Sequence, residues 1–340
     1  MIPPTSQGLG LTAIFMGALL VILLTAMAML TWVERKVLAR MQNRYGPTRT
    51  GPFGLLQPLA DGIKLLAKED LVPANADRYL FLFAPLITFA TAFIAFAVIP
   101  LGLETLPLPF TNTRLSLFVS DINIGVLFVL AMSGLGVYGI ILGGYASGNR
   151  YSLLGGLRAA AQVISYELIL GLALVGPFLL TSTLSLRGIT AWQQANTWLI
   201  IVQAPSFFLY LIAGIAETNR APFDLPEAES ELVGGFFTEY SGFRFSLFFL
   251  GEYVAMLVIS ATAAIVFLGG PAGPLLPGPL WLLLKIGGFI FLYIWLRATL
   301  PRFRYDQLMG LAWKLLLPLA LLNIVVTAFG RLYALGLLRF

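Results

Sequence analysis

The sequence predicts an all-α, polytopic membrane protein of about eight transmembrane helices, with short amphipathic helices on its cytoplasmic side. Three observations carry that prediction. Of 340 residues, 59% are hydrophobic and only 11% charged, against roughly a quarter charged in a soluble domain. Apolar runs of about 20 residues, enough to cross a bilayer as a helix, recur along the chain. The basic residues gather in short segments between alternate runs, where the positive-inside rule places them.

The runs read as spans at roughly 9–31, 79–100, 121–146, 159–180, 197–217, 243–269, 280–300 and 312–336. They form a single transmembrane domain, 1–340, with cytoplasmic loops at about 32–78, 147–158, 218–242 and 301–311. No Lys or Arg precedes the first span, whereas Arg35, Lys36, Arg40, Arg44, Arg49, Lys64, Lys68 and Arg78 follow it. That asymmetry predicts an N-terminus outside. The first span lacks the basic start of a signal peptide and is too long for one. Leu55, Leu59, Ile63 and Leu66 recur at helical spacing, with Asp61, Lys64 and Lys68 on another face. This predicts a short amphipathic helix at the interface.

The chain holds no Cys and no His. Iron–sulfur ligation and Cys/His zinc sites therefore cannot be built from it, and imidazole proton chemistry is absent. Redox work would borrow carriers from a partner, and proton work would fall to carboxylates, Lys or Tyr. The net charge of +5 does not indicate nucleic acid, because the cations are distributed as membrane loops require.

Gly134-Leu135-Gly136-Val137-Tyr138-Gly139 fits a dinucleotide pattern, but that motif works only between a strand and a helix N-terminus. Inside a span, small residues point instead to close helix packing. The segment from Glu217 to Glu239 sets Glu217, Asp224, Glu227, Glu229, Glu231 and Glu239 against one cation, Arg220. A helix starting near Pro226 would place Glu227 and Glu231 on one face, where mutual repulsion favours holding a proton. The competing reading is a solvated acidic loop, but the interleaved Phe223, Leu232, Phe236 and Phe237 suit partial burial. Glu167 lies nine positions beyond Arg158, about 13 Å deeper at helical rise. An intramembrane acid is a functional candidate, and Glu252 receives the same, weaker reading. Lys285 lies near enough to the outer interface to snorkel. Arg297, Arg302 and Arg304 either anchor the seventh span or serve a site. Glu34, Arg35, Asp61 and Lys64 together could rim an opening from the bilayer.

Several stretches resemble one family. They are Val-Glu-Arg-Lys at 33–36 with the Arg44-Tyr45-Gly46-Pro47 to Gly51-Pro52-Phe53-Gly54 turns, Leu56 to Lys64 with Lys68-Glu69-Asp70, and Pro222 to Glu229 with Glu231-Leu232. Tyr151 to Gly155 and Ser165-Tyr166-Glu167 add to them. Across nearly its whole length the chain resembles the H-subunit family of bacterial respiratory complex I (NADH–quinone oxidoreductase), the counterpart of mitochondrial NADH dehydrogenase subunit 1. The resemblance implies a multi-pass protein of the bacterial inner membrane with no redox centre of its own. Its substrate would be quinone, ubiquinone or menaquinone, and FMN and iron–sulfur clusters would sit in partner subunits. The implied partners are the peripheral-arm quinone-site subunits, the small membrane subunits and the antiporter-like subunits, besides lipid.

Carried over position by position, the quinone chamber resembles Glu34, Arg35, Asp61, Lys64, Arg297 and Arg302. The acidic path toward proton-pumping subunits resembles Glu167, Glu217, Glu227, Glu229, Glu231, Glu239 and Glu252, with Arg220 and Asp224 nearby. Some members carry Glu where this chain has Gly134, so one proton stop is missing from such a path here. Other readings are the membrane anchor of a related hydrogenase, a ferredoxin-dependent form, and a free-standing ion transporter, against which no inverted repeat is visible.

Overall fold

The computed structural model describes residues 9–102, 105–107, 114–116, 120–224 and 233–336. Helix α1 (Leu9–Met41) has 33 residues, about 50 Å at helical rise, and so outruns a hydrocarbon core of roughly 30 Å. The apolar run predicts an end near residue 31. The helix continues instead through Trp32–Lys36, because no Gly or Pro interrupts it before Gly46-Pro47. This rigid extension carries Glu34 and Arg35 past the apolar run. After a tight turn, α2 (Gln57–Ala67) is the expected amphipathic helix. Its Leu59, Ile63 and Leu66 are exposed, an apolar face that the described residues leave uncovered.

Helix α3 (Arg78–Phe96) is capped by Asp77, whose side chain accepts from the backbone N–H groups of Tyr79 and Leu80. It packs along α4 (Gly125–Ala146). The contact depends on Gly139: an added Cβ there would lie 2.8 Å from the Ala84 carbonyl oxygen and 2.9 Å from the Thr88 nitrogen. Gly144 and Gly156 meet the same way where α4 crosses α5 (Arg150–Thr181). The glycine motif thus serves close helix approach, which supplies much of the packing gain where both lipid and protein are apolar. Between α3 and α4, the described residues include a short antiparallel pair, β1 (Thr105–Pro107) and β2 (Arg114–Ser116).

Helix α5 begins at Arg150, capped by Asn149, about two turns earlier than the apolar run alone predicts. The fifth crossing departs further. Beyond α6 (Leu186–Ala195), it is split into α7 (Leu199–Val202) and α8 (Ala204–Glu217). The break falls at Gln203 (φ −119°, ψ 40°), and Pro205 in the first turn of α8 lacks the N–H that would continue a helix. The 14 residues of α8 span only about 21 Å. Gln203 rejoins the polar groups freed there: its Nε2 donates to Thr327 Oγ1 (3.0 Å), and Ser206 Oγ donates to its Oε1 (2.9 Å).

Helix α9 (Gly242–Leu268) is the most enclosed of the long helices and packs on α3 and on α10 (Gly278–Thr299). A short helix, α11 (Tyr305–Leu311), passes through one π-helical turn, Ala312–Leu316, into α12 (Leu317–Ala334). This stretch is tied to α5, where Tyr166 Oη donates to the Leu308 carbonyl (3.0 Å) and Trp313 Nε1 to Ser165 Oγ (3.3 Å). Among the described residues, seven helices are long and apolar enough to cross a membrane, and α8 is a shorter apolar one.

Candidate functional site

The site is built around a buried carboxylate on the extension of α1. Glu34, whose side chain is 6% exposed, accepts bonds from three sides. Arg220 Nη1, from the turn after α8, lies 3.3 Å from Oε1 and 3.5 Å from Oε2. Tyr253 Oη on α9 donates to Oε2 at 2.6 Å. Arg297 Nη1 near the end of α10 donates to Oε1. A buried charge is tolerated only when paired and hydrogen-bonded, and here one carboxylate ties α1, α9, α10 and the turn after α8 into a single joint.

Arg220 is the hinge of this arrangement. Its guanidinium lies over the Tyr253 ring, 4.4 Å from the centroid. Burial alone would weaken its charge, but Glu34, then Tyr253 and Glu252, outweigh burial and hold the group above its ordinary pKa. Its Nε and Nη2 are buried with no hydrogen-bond partner among the described residues.

Two further ion pairs flank the joint. Arg35 Nη1 meets Asp61 Oδ2 of α2 at 2.6 Å, and Gln57 Nε2 donates to the other Asp61 oxygen at 3.1 Å. Arg302 Nη2 meets Asp224 Oδ2 at 3.2 Å. Lys64 is exposed on α2, one turn beyond Asp61. Of the six expected chamber residues, Glu34 thus pairs with Arg297 and Arg35 with Asp61, two separate pairs that start from neighbouring positions of α1.

The acids form a second group around a cavity of about 80 Å³ among α3, α4, α5, α8 and α9. Glu217, Glu252, Thr218, Asn219, Ser133 and Thr262 give it polar walls amid apolar ones. Glu217 Oε2 and Thr262 Oγ1 are buried there with no hydrogen-bond partner among the described residues. A water needs roughly 10–15 Å³ and two or more polar contacts, so the cavity has room for several. Glu167 and Glu217 interact electrostatically, with Ser133 beside both. An added Cβ at Gly134 would lie 2.7 Å from Glu167 Oε1, so this glycine leaves the space its carboxylate fills. Glu239 lies apart and accepts from Asn149 Nδ2 at 2.7 Å. Glu227, Glu229 and Glu231 lie outside the described residues.

Sequence position pairs Arg220 with the acidic loop that follows it, yet its side chain turns back to Glu34. Sequence reasoning misses Tyr253 and Ser133, whose only signal is a polar group inside a span. It also misses Gln162, whose Nε2 donates to the carbonyls of Ala216 and Phe223 (both 2.8 Å) and fixes the Arg220 turn. Lys285 does not snorkel. It is buried, and its Nζ donates to the carbonyls of Leu268, Gly270 and Ala272 at 2.6–2.8 Å, closing the C-terminus of α9.

The profile of the family described as NADH dehydrogenase matches residues 14–328. A protein of Thermomicrobium roseum, named as the H subunit of NADH-quinone oxidoreductase, is 64% identical over 94% of this chain and 96% of its own length. The protein of that name from Syntrophotalea carbinolica is 52% identical over 94% and 95%. From Syntrophobacter fumaroxidans, a protein named as a second H subunit of NADH-quinone oxidoreductase is 54% identical over 91% and 92%.

Proposed function

The chain belongs to the NADH dehydrogenase family, and on that premise we propose that it is the membrane subunit of an NADH–quinone oxidoreductase that forms much of the quinone-access chamber and couples quinone reduction to proton translocation. The observation that carries the coupling is Arg220. One guanidinium holds Glu34 at the chamber end and feels Glu252 at the acid-lined cavity. A change of charge at the chamber would therefore reach the acids through one side chain, without any large motion. In a site of low dielectric such pairs interact strongly.

In this reading quinone approaches laterally between α1 and the exposed apolar face of α2. Glu34, Arg35, Asp61, Lys64, Arg297 and Arg302 line or rim its path. Electrons come from clusters held by partner subunits of the peripheral arm. Glu217, Glu252 and Glu167, with water in the cavity, pass the resulting bias inward, and Glu227, Glu229, Glu231, Glu239 and Asp224 extend the path on the loop side. The basic end of α1 and the loops on its side face the cytoplasm, with the N-terminus outside, in a bacterial inner membrane. Gly134 supplies space rather than a proton stop, so the step past Glu167 needs water.

Photo-crosslinking of the assembled complex with an azido-quinone analogue tests the chamber. Label at Arg35 or Lys64, competed by excess quinone, is the expected result. An intact, active complex with no label on α1 or α2 overturns the chamber assignment.

A further inference from the structure

The basic end of α1 carries a second feature on a different face from Glu34 and Arg35. Ile22, Met29, Trp32, Lys36 and Arg40 recur at spacings that keep them on one stripe of the helix. Ile22 and Met29 are 60% and 41% exposed. From Ile22 to Trp32 the stripe is about 15 Å long at helical rise, the depth of one hydrocarbon leaflet of roughly 15 Å. At its top is an open groove of about 510 Å³. Trp32, Val37 and Met41 of α1 line it together with Lys36 and Arg40, Phe53 from the following turn and Phe291 of α10.

Lys36 and Arg40 are the two cations that line the groove. Among the described residues no carboxylate pairs with either, and the contact of Lys36 is with the Trp32 ring, 6.0 Å from its centroid. Their neighbours are engaged elsewhere: Glu34 with Arg220, Tyr253 and Arg297, and Arg35 with Asp61. Phe53 is also held in place. Phe53 keeps a left-handed backbone (φ 55°), unusual for a bulky residue, while its carbonyl accepts from Trp32 Nε1 at 3.2 Å. Its ring stands exposed at the mouth of the groove.

We propose that this groove binds one anionic phospholipid, its phosphate held by Lys36 and Arg40 and its acyl chain lying down the Ile22–Met29–Trp32 stripe. An Arg fork and a Lys point charge suit a phosphate. An aromatic belt beneath them suits the glycerol level of a membrane. The continuity of the cationic groove with a leaflet-long exposed apolar stripe favours a lipid over a protein segment. The assignment is independent of the quinone reading, because neither cation touches the Glu34 joint.

The test places the assembled complex in nanodiscs containing photoactivatable phosphatidylglycerol or, in parallel, photoactivatable phosphatidylcholine, and maps adducts by mass spectrometry. Phosphatidylglycerol should label the Trp32–Met41 segment roughly tenfold more than phosphatidylcholine, since each surface cation contributes appreciably to anionic-lipid attraction. Lys36→Gln with Arg40→Gln should abolish the preference, and Lys36→Arg with Arg40→Lys should keep it. Equal labelling by the two lipids, or an undiminished preference in the double Gln variant, overturns the proposal. So does a crosslink to a neighbouring protein that fills the groove with no lipid adduct. If the double Gln variant fails to assemble, the wild-type preference must still appear and shrink at high salt, and its absence overturns the proposal as well.

Discussion

Arg220 Nη1 reaches Glu34 across 186 positions of sequence, lying 3.3 and 3.5 Å from its two oxygens, and through this contact the turn after α8 is fixed to the C-terminal extension of α1. Neither residue can be understood alone. Glu34 is buried with two guanidiniums around it, and Arg220 is buried with Nε and Nη2 unpartnered among the described residues.

Removing one member of this joint strands the other's charge. Glu34→Ala should lower the thermal stability of the assembled complex by the equivalent of about 3–5 kcal/mol, the usual cost of breaking a buried pair from one side. Replacing both, as Glu34→Gln with Arg220→Met, should cost less than the sum of the singles. A double-mutant cycle on thermal unfolding measures this, and strict additivity would show that the two do not interact.

Coupling through the acids separates two activities. Glu217→Gln and Glu167→Gln should each leave NADH–quinone reduction largely intact in uncoupled membranes while lowering proton translocation in sealed vesicles. If both variants pump at the wild-type proton-to-electron ratio, the acid path is wrong.

Two of the glycines of α4 should behave differently. Gly134→Ala presses on the far end of the flexible Glu167 side chain, so we expect a stability loss under about 1 kcal/mol but reduced pumping. Gly139→Ala meets backbone atoms of α3 and should cost about 1–3 kcal/mol by overpacking. Equal loss of assembly in both, scored on native gels, would refute the distinction.

Lys285→Met should destabilise the C-terminal end of α9 by about 1–3 kcal/mol, as three buried carbonyls lose a charged donor. Quinone reduction at low temperature should survive. A drop in activity without a drop in melting temperature would give Lys285 a role other than closing the helix.

Much of the fold is legible in the sequence because a bilayer demands it: apolar runs of spanning length leave few alternatives to helices. What escapes is set by contacts rather than by hydropathy. The extension of α1 to Met41 is polar on one face and reads as loop until the partners of Glu34 are known. The break at Gln203 sits in an unbroken apolar run, where only Pro205 hints at it. Glu34, Arg35, Asp61 and Lys64 are expected at one opening, and the structure joins the first three through two elements. For Arg220, sequence proximity gives no hint of its contact with Glu34, since it says nothing about a turn that Gln162 holds toward α1. Lys285 reads as a snorkelling cation because three carbonyls converging around the end of α9 leave no trace in sequence.

The binding of Lys285 also bears on how this protein sees the membrane voltage. All three protons of an ammonium can be given to acceptors, and here three carbonyls take them. A charge so fixed moves through none of the electric field and does no work against it. Moving one charge across the bilayer is worth about 2.3 kcal/mol per 100 mV, so Lys285, held in place, contributes none of that work. Lys285→Met should therefore leave the voltage dependence of pumping unchanged even where it lowers stability.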